Sequence, residues 1–129
     1  MSQAVSAVES FFTALETKSI EDCVAAFGEH VTDDVVWENT GFPTQNGREA
    51  AQQFLHSFSQ AMPLTGIRVE VLAIAAAGNK VVTERIDHLI DATGTALVSL
   101  PLAGVLEVAA DGRISAWRDY FDPRPLLGG

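Results

Sequence analysis

The first half of the chain carries apolar residues at helical spacing. One set recurs every three or four positions and predicts an amphipathic helix over residues 3–17; its members are Val5, Val8, Phe11, Phe12 and Leu15. Ser19 then stands three positions before an acidic residue, a pattern typical of a helix N-cap, so a second short helix is expected to run through Phe27. A third helix is predicted from Arg48 to about Gln60, ending before Pro63.

Elsewhere the apolar period is two, which is typical of strands. Strands are predicted at 33–39, 67–76, 80–91, 95–107 and 113–121, with a breaker-rich loop at 41–47. The fourth segment is either a strand pair or one strand that Pro101 interrupts, which indicates a bulge or an edge there. Asp111 and Gly112 give a strong hairpin signal before the last strand, and the tail from Pro123 is expected to be loose.

Helices followed by antiparallel strands predict an α+β domain. We expect a strongly curved, mixed or antiparallel sheet shaped as a cone, with about three helices from the N-terminal half closing a pocket. The 129 residues fit one domain spanning 1–129. The concave face of the sheet is the expected place for a small molecule.

Composition narrows the range of partners. The chain has 17 acidic and 8 basic residues and a net charge of −9, so it has no basic footprint for nucleic acid or a membrane surface. A neutral ligand is easier to accept than an anion. The N-terminus lacks a secretion signal, and Cys23, the one cysteine, sits among apolar residues as a buried structural thiol would. A cytoplasmic protein is the expectation.

Two strands place charged residues on apolar faces. Arg85 and Asp87 are two positions apart and point the same way as Leu89, because side chains alternate along a strand. Asp119 shares its face with Trp117 and Phe121 in the last strand. An earlier strand offers Asn39 on the same face as Val35 and Trp37. If all three faces meet in the concavity, these residues form an apolar pocket with polar groups at its base.

Such a set of side chains suits acid–base chemistry. Two carboxylates and one guanidinium in apolar surroundings are neutral with one added proton, so one carboxyl can act as an acid and the other as a base. Arg85 keeps its proton and can orient both carboxyls. The plainer interpretation is that Arg85 and Asp87 form ion pairs on a solvated edge, and that Asn39 starts a turn. No metal is predicted, because the three histidines lack ligand spacing.

The sequence resembles the limonene-1,2-epoxide hydrolase family. The residues that carry the resemblance are Glu84-Arg85-Ile86-Asp87 and the run from Gly112 to Asp122, and a weaker likeness covers nearly the whole chain. The resemblance implies the cone fold shared with SnoaL-like proteins and ketosteroid isomerase. It also implies a homodimer without metal or cofactor that acts on a lipophilic epoxide and water.

The resemblance further implies roles for four residues. Asp119 would take a proton from water, Asp87 would give one to the epoxide oxygen, Arg85 would bridge the two, and Asn39 would hold the water. The family has a tyrosine two positions before this asparagine, where this chain has Trp37. Indole donates a hydrogen bond but cannot accept one, so the water or the substrate could be held differently.

Three other functions stay open at this point. The first is an epoxide-opening cyclase in which a hydroxyl of the substrate replaces water, as in some relatives of this fold. The second is proton transfer next to a carbonyl, although an arginine between two aspartates suits that poorly. The third is a ligand-binding module without catalysis, because a fold does not fix a function.

Overall fold

The computed structural model describes residues 2–127. Its three α-helices are α1 (Gln3–Ala14), α2 (Ile20–His30) and α3 (Arg48–Ser57). Its six strands are β1 (Val31–Asn39), β2 (Gln45–Asn46), β3 (Gly66–Ala77), β4 (Lys80–Ile90), β5 (Ala96–Val108) and β6 (Ile114–Tyr120). Two short 3₁₀ turns cover Phe58–Gln60 and Arg124–Leu126. Among these residues, no helix has both the length and the apolarity to cross a bilayer.

The strands form one open mixed sheet in the order β2-β1-β6-β5-β4-β3. β3 to β6 follow one another as antiparallel neighbours, whereas β1 runs parallel to β6. This pairing sets Trp37 beside Trp117 and Asn39 beside Asp119. The helices and the inner face of the sheet enclose the core, so the predicted α+β class is confirmed.

Aromatic rings join the helices to the sheet. Phe11 of α1 meets Trp117 edge-on at 5.1 Å, and Phe27 of α2 lies 4.9 Å from Trp37. The two indoles stack on each other at 5.1 Å with an interplanar angle of 16°. Buried aromatic pairs of this kind contribute about 0.5–1.5 kcal/mol beyond their area. They hold α1 and α2 over the part of the sheet where the predicted site residues lie.

Several boundaries differ from the prediction. α1 ends at Ala14 rather than residue 17, α2 continues to His30, and the third helix changes to a 3₁₀ turn after Ser57. The loop at 41–47 contains the two-residue strand β2. These ends depend on tertiary contacts that a local apolar pattern does not contain.

Pro101 lies within a continuous strand that pairs with β4 opposite Ile86. The pairing of β5 with β6 begins only at Ala103, so Pro101 stands where β5 is locally an edge. Proline has no N–H and cannot donate a hydrogen bond to a neighbouring strand. It is tolerated at this position because β6 does not pair with β5 there.

The expectation of a loose tail is wrong for part of the segment. Residues Arg124–Leu126 form a 3₁₀ turn, and Leu126 packs against the core. The turn follows Pro123 and is held by the carbonyl of Pro123, which accepts from Leu126 N. Gly128 and Gly129 lie outside the described residues.

Candidate active site

Three adjacent strands build the polar base of the site. β4 supplies Thr83, Arg85 and Asp87 from alternate positions, and β6 supplies Asp119. β5 runs between them and places Gly104 opposite both Thr83 and Asp119. The side chains of β4 and β6 therefore meet above a position that has no side chain.

Arg85 lies between the two carboxyl groups and donates to both. Its Nε donates to Asp87 Oδ1 at 3.0 Å and its Nη2 donates to Asp87 Oδ2 at 2.7 Å. The same Nη2 donates to Asp119 Oδ2 at 2.8 Å. A guanidinium in this fork geometry fixes both carboxyl groups with charge-assisted hydrogen bonds. We call Asp87, Arg85 and Asp119 the acid–arginine trio.

The trio is removed from solvent. The exposed fractions are 0% for Arg85, 5% for Asp87 and 4% for Asp119. The Arg85 guanidinium carbon lies 4.8 Å from the ring centre of Phe12 and 5.7 Å from that of Trp117. The interpretation of Arg85 and Asp87 as a solvated edge is therefore wrong. Buried charges are tolerated here because each has a partner of opposite sign.

Burial and charge set the ionisation of the trio. Burial raises the pKa of Asp119 to about 6, against the lowering effects of the Arg85 charge and hydrogen bond. The nearby Asp87 adds to the raising, while a hydrogen bond from Trp117 lowers the pKa. For Arg85, burial lowers the pKa, but Asp119 and Asp87 more than offset it and the net change is a rise. Arg85 therefore stays charged, and Asp119 titrates close to neutrality.

Trp117 has a polar role that the sequence reasoning missed. Its Nε1 donates to Asp119 Oδ1 at 2.7 Å, so both oxygens of this carboxyl have a protein donor. The apolar pocket predicted from the strand faces gives Trp117 no polar contact. The signal was available, since an indole and a carboxylate two positions apart on a strand share one face.

A cavity opens above the trio, with about 550 Å³ of empty space when the open solvent at its mouth is included. Asp87, Asp119 and Asn39 are among the residues that line it. Its other walls are aromatic and aliphatic; these residues are Trp37, Phe42, Phe54, Leu55, Phe58, Leu64, Ile67, Leu89, Leu100, Leu102, Trp117, Phe121 and Leu126. An apolar pocket with a few convergent polar groups is the usual form of a small-molecule site.

The predicted wall residues are placed in two ways. Trp37, Trp117, Phe121 and Leu89 line the cavity. Val35, four positions before Asn39 on β1, does not line it, because this side chain is fully buried in the core. Side-chain alternation places Val35 on the same face of β1 as Trp37 and Asn39. It does not show which residues of that face the cavity reaches.

Trp37 carries an unusual polar atom. Its Nε1 is buried and has no hydrogen-bond partner among residues 2–127. An unpaired buried donor costs about 1–3 kcal/mol, and Trp37 also contributes to the wall of the cavity.

The described residues include no other grouped polar site of this kind. No three His, Cys, Asp or Glu side chains within residues 2–127 are grouped so that they could hold a metal ion. His88 points to the opposite face of the sheet, where it contacts Ser99 and Glu70.

Solved structures of other proteins share this fold. An NTF2-like protein of unknown function from Burkholderia pseudomallei superposes with a TM-score of 0.76 at 16% identity, covering 99% of this chain and 97% of that one. A likeness at this identity shows the fold alone, which is the predicted α+β cone fold. An LEH-like epoxide hydrolase from Mycobacterium tuberculosis superposes with a TM-score of 0.72 at 33% identity, covering 98% of this chain and 87% of that chain.

Sequence comparison identifies the family within this fold. The family model described as limonene-1,2-epoxide hydrolase catalytic domain matches residues 2–129. Epoxide hydrolase EphG of Mycobacterium tuberculosis is 38% identical over 123 residues, which is 95% of this chain and 76% of that protein. The chain belongs to the limonene-1,2-epoxide hydrolase family. This confirms the predicted resemblance and the predicted class of enzyme.

Proposed function

We propose that this protein hydrolyses a lipophilic epoxide to a vicinal diol in one step, by acid–base attack of water. The observation that carries the proposal is the buried acid–arginine trio at the base of an apolar cavity. Water is a weak nucleophile and the epoxide oxygen is a poor leaving group. The reaction therefore needs a base and an acid, each of which contributes about 10²–10⁴-fold.

In this proposal Asp119 is the base. It takes one proton from water as the water oxygen bonds to an epoxide carbon. Its pKa of about 6 favours the role, because a base is most effective when its pKa lies near the working pH. The hydrogen bond from Trp117 to Oδ1 leaves a lone pair of each Asp119 oxygen for the water.

Asp87 is the acid in the same step. It gives its proton to the epoxide oxygen as the carbon–oxygen bond breaks, and Arg85 balances the charge that remains. The trio ends the step with the same number of protons as it began, so one proton must return from Asp119 to Asp87 after the diol leaves. Nothing in this balance requires a cofactor.

Asn39 and Trp37 are proposed to hold the water. A water molecule has two protons and two lone pairs. It can donate to Asp119 and to the amide oxygen of Asn39, accept from Trp37 Nε1, and keep one lone pair for attack. The proposal is supported by the buried, unpaired Nε1 of Trp37 and by the register that sets Asn39 beside Asp119. A donor is all that this arrangement asks of residue 37, so tryptophan is chemically acceptable where the family has tyrosine.

The walls of the cavity favour an apolar substrate. Apart from the trio, Asn39 and Trp37, the lining consists of hydrocarbon and aromatic surface. Phe42, Phe54 and Phe58 meet edge to face at 5.1–5.8 Å and form one aromatic side of the cavity. A net charge of −9 adds a repulsive field against anionic epoxides.

The test is diol formation from limonene oxide, cyclohexene oxide and styrene oxide. We expect turnover by the unaltered protein and a loss of at least about 10²-fold for Asp119→Asn, with the fold intact by circular dichroism. Asp122→Asn is a matched control, because Asp122 is exposed and pairs only with Arg124 among the described charged residues. Absence of diol across a broad epoxide panel, or full activity of Asp119→Asn, would contradict the proposal.

The proposal includes a homodimer formed through the outer face of the sheet. Val82 and Tyr120 lie on the face opposite the trio and are 51% and 55% exposed. Leu72, at a bulge in β3, is a further exposed apolar side chain. Exposed apolar surface can mark interaction sites in soluble proteins.

A further inference from the structure

The guanidinium of Arg85 has a third contact besides the two carboxyl groups. Its Nη1 donates to Thr83 Oγ1 at 2.9 Å, and Thr83 Oγ1 in turn donates to the carbonyl oxygen of Gly104 at 3.0 Å. The direction of both bonds is fixed by chemistry, since a guanidinium cannot accept and a carbonyl cannot donate. Thr83 is 2% exposed and lies two positions before Arg85 on β4, with its side chain on the same face.

Gly104 completes this contact from the neighbouring strand. A Cβ atom at this position would overlap Asp119 Oδ1 and would lie 2.6 Å from Arg85 Nη1. The absence of a side chain on β5 therefore makes the space in which the guanidinium and the Asp119 carboxyl meet. The same residue supplies the carbonyl that fixes the rotamer of Thr83.

We propose that Thr83 is a positioning residue for the proposed hydrolysis, which holds the plane of the Arg85 guanidinium so that one nitrogen reaches both carboxyl groups. The Nε and Nη2 hydrogens of Arg85 are directed at Asp87 and Asp119, and Thr83 is the acceptor for Nη1 among residues 2–127. A guanidinium fixed on both sides cannot rotate away from one carboxyl group toward the other. Thr83 does not line the cavity, so it acts only through Arg85.

This assignment predicts a specific kinetic signature. Thr83→Val replaces the hydroxyl with a methyl group of similar size and leaves Nη1 and the Gly104 carbonyl without this partner. We expect kcat to fall about 10- to 100-fold, the range for a lost hydrogen bond to a charged group, with KM changed less than about threefold. Thr83→Ser keeps the hydroxyl and is expected to restore kcat to within about threefold of the unaltered protein.

The inference rests on the proposed function, so a second readout is independent of turnover. The carboxyl carbon of Asp119 can be titrated by ¹³C NMR in the resting protein. The charged groups that act on Asp119 are Arg85 and Asp87, both on β4. A less firmly held Arg85 stabilises the ionised carboxyl less, so the midpoint of Asp119 is expected to move to higher pH in Thr83→Val and to return in Thr83→Ser.

Thr32→Val is a matched control for removing a buried threonine hydroxyl from a strand. Thr32 Oγ1 is buried and has no hydrogen-bond partner among the described residues, so its loss should change neither kcat nor the Asp119 titration. If Thr83→Val does not fold, Thr83→Ser and Thr83→Ala form a second pair that differs only in the oxygen atom.

Three results would overturn the assignment: unchanged kcat in Thr83→Val, equal losses in the valine and serine variants, or an unchanged Asp119 titration in Thr83→Val. For the second pair, equal kcat and equal Asp119 midpoints in Thr83→Ser and Thr83→Ala would do the same. If the unaltered protein opens no epoxide, the proposed function fails while the titration still decides the role of Thr83.

Discussion

At the scale of single residues, Asp119 carries the most specific chemistry of the site. One oxygen accepts from Trp117 and the other from Arg85, in surroundings that leave the carboxyl 4% exposed. Burial raises its pKa to about 6, while its donors keep the ionised form accessible. With a pKa of about 6, this carboxyl is mostly ionised at neutral pH and is still basic enough to take a proton.

The pH dependence of hydrolysis follows from this pKa. The proposed mechanism needs ionised Asp119, so kcat/KM should fall about tenfold per pH unit well below pH 6. The measurement is a kcat/KM profile from pH 4.5 to 9 at constant ionic strength. An acid limb near pH 4, or none, would contradict the assignment of the base.

Acid unfolding through this group should not distort that profile. The pKa of Asp119 is raised above its unfolded value, so its contribution to stability is present in full below about pH 4 and is lost as the pH rises through about 6. Protonation of Asp119 therefore stabilises the folded chain, whereas in the proposed mechanism it stops catalysis.

The indole of Trp117 tunes the same carboxyl. Trp117→Phe keeps a ring for the stack with Trp37 but removes the N–H that lowers the pKa of Asp119. We expect the acid limb to move to higher pH and kcat/KM at pH 6 to fall about tenfold. The exposed Tyr120 on the opposite face offers a control, since Tyr120→Phe should leave the limb unchanged. An identical limb in Trp117→Phe would show that this hydrogen bond has no influence on the base.

At the scale of elements, the strands could be predicted because their alternation is long and regular. The same alternation predicted that Arg85 and Asp87 share one face of β4 and that Asp119 lies on the apolar face of β6. The sheet brings these two strand faces together. The contacts at Gly104, which accepts from Thr83 and leaves space for the Arg85 guanidinium and the Asp119 carboxyl, could not be predicted. It depends on the register of β5 against β4 and β6, which a single sequence does not specify.

Element ends and depths were less accessible to sequence reasoning. β2 has only two residues and exists because β1 provides a partner, so no local pattern announces it. Leu126 lines the cavity from a segment expected to be loose, because the apolar space that receives it is built by distant elements. Val35 was predicted in the cavity wall but lies in the core, because the core extends along β1 beyond the cavity.

The start of α2 gives a stability prediction at this scale. Ser19 Oγ accepts from Asp22 N at 3.1 Å, as the predicted N-cap requires. Ser19→Ala should lower the free energy of unfolding by about 1 kcal/mol, measured by urea denaturation. Ser10→Ala is the control, because Ser10 is exposed within α1 and alanine is at least as good a helix former there. Equal stability of Ser19→Ala and the unaltered protein would show that the cap contributes nothing.

At the scale of the whole molecule, the two faces of the sheet differ in what they carry. The inner face carries the trio and the cavity, and the outer face presents apolar side chains to solvent. The second feature supports the proposed homodimer.

The dimer can be tested by one added charge. Val82→Glu places a carboxylate on the outer face and should shift the protein from dimer to monomer in sedimentation velocity at micromolar concentration. Leu127→Glu is the control, since Leu127 is equally exposed but lies in the tail. A dimer that survives Val82→Glu, or an unaltered protein that is monomeric, would contradict this interface.

The central claim is that the trio activates water directly, and a single-turnover experiment in H₂¹⁸O tests it most directly. With enzyme in excess over a lipophilic epoxide, we predict a diol in which one oxygen is ¹⁸O in the first turnover, detected by mass spectrometry. An unlabelled diol would show that a carboxylate oxygen attacked first through a covalent ester. An unlabelled cyclic product would show that a hydroxyl of the substrate replaced water, and either result would contradict the proposed mechanism.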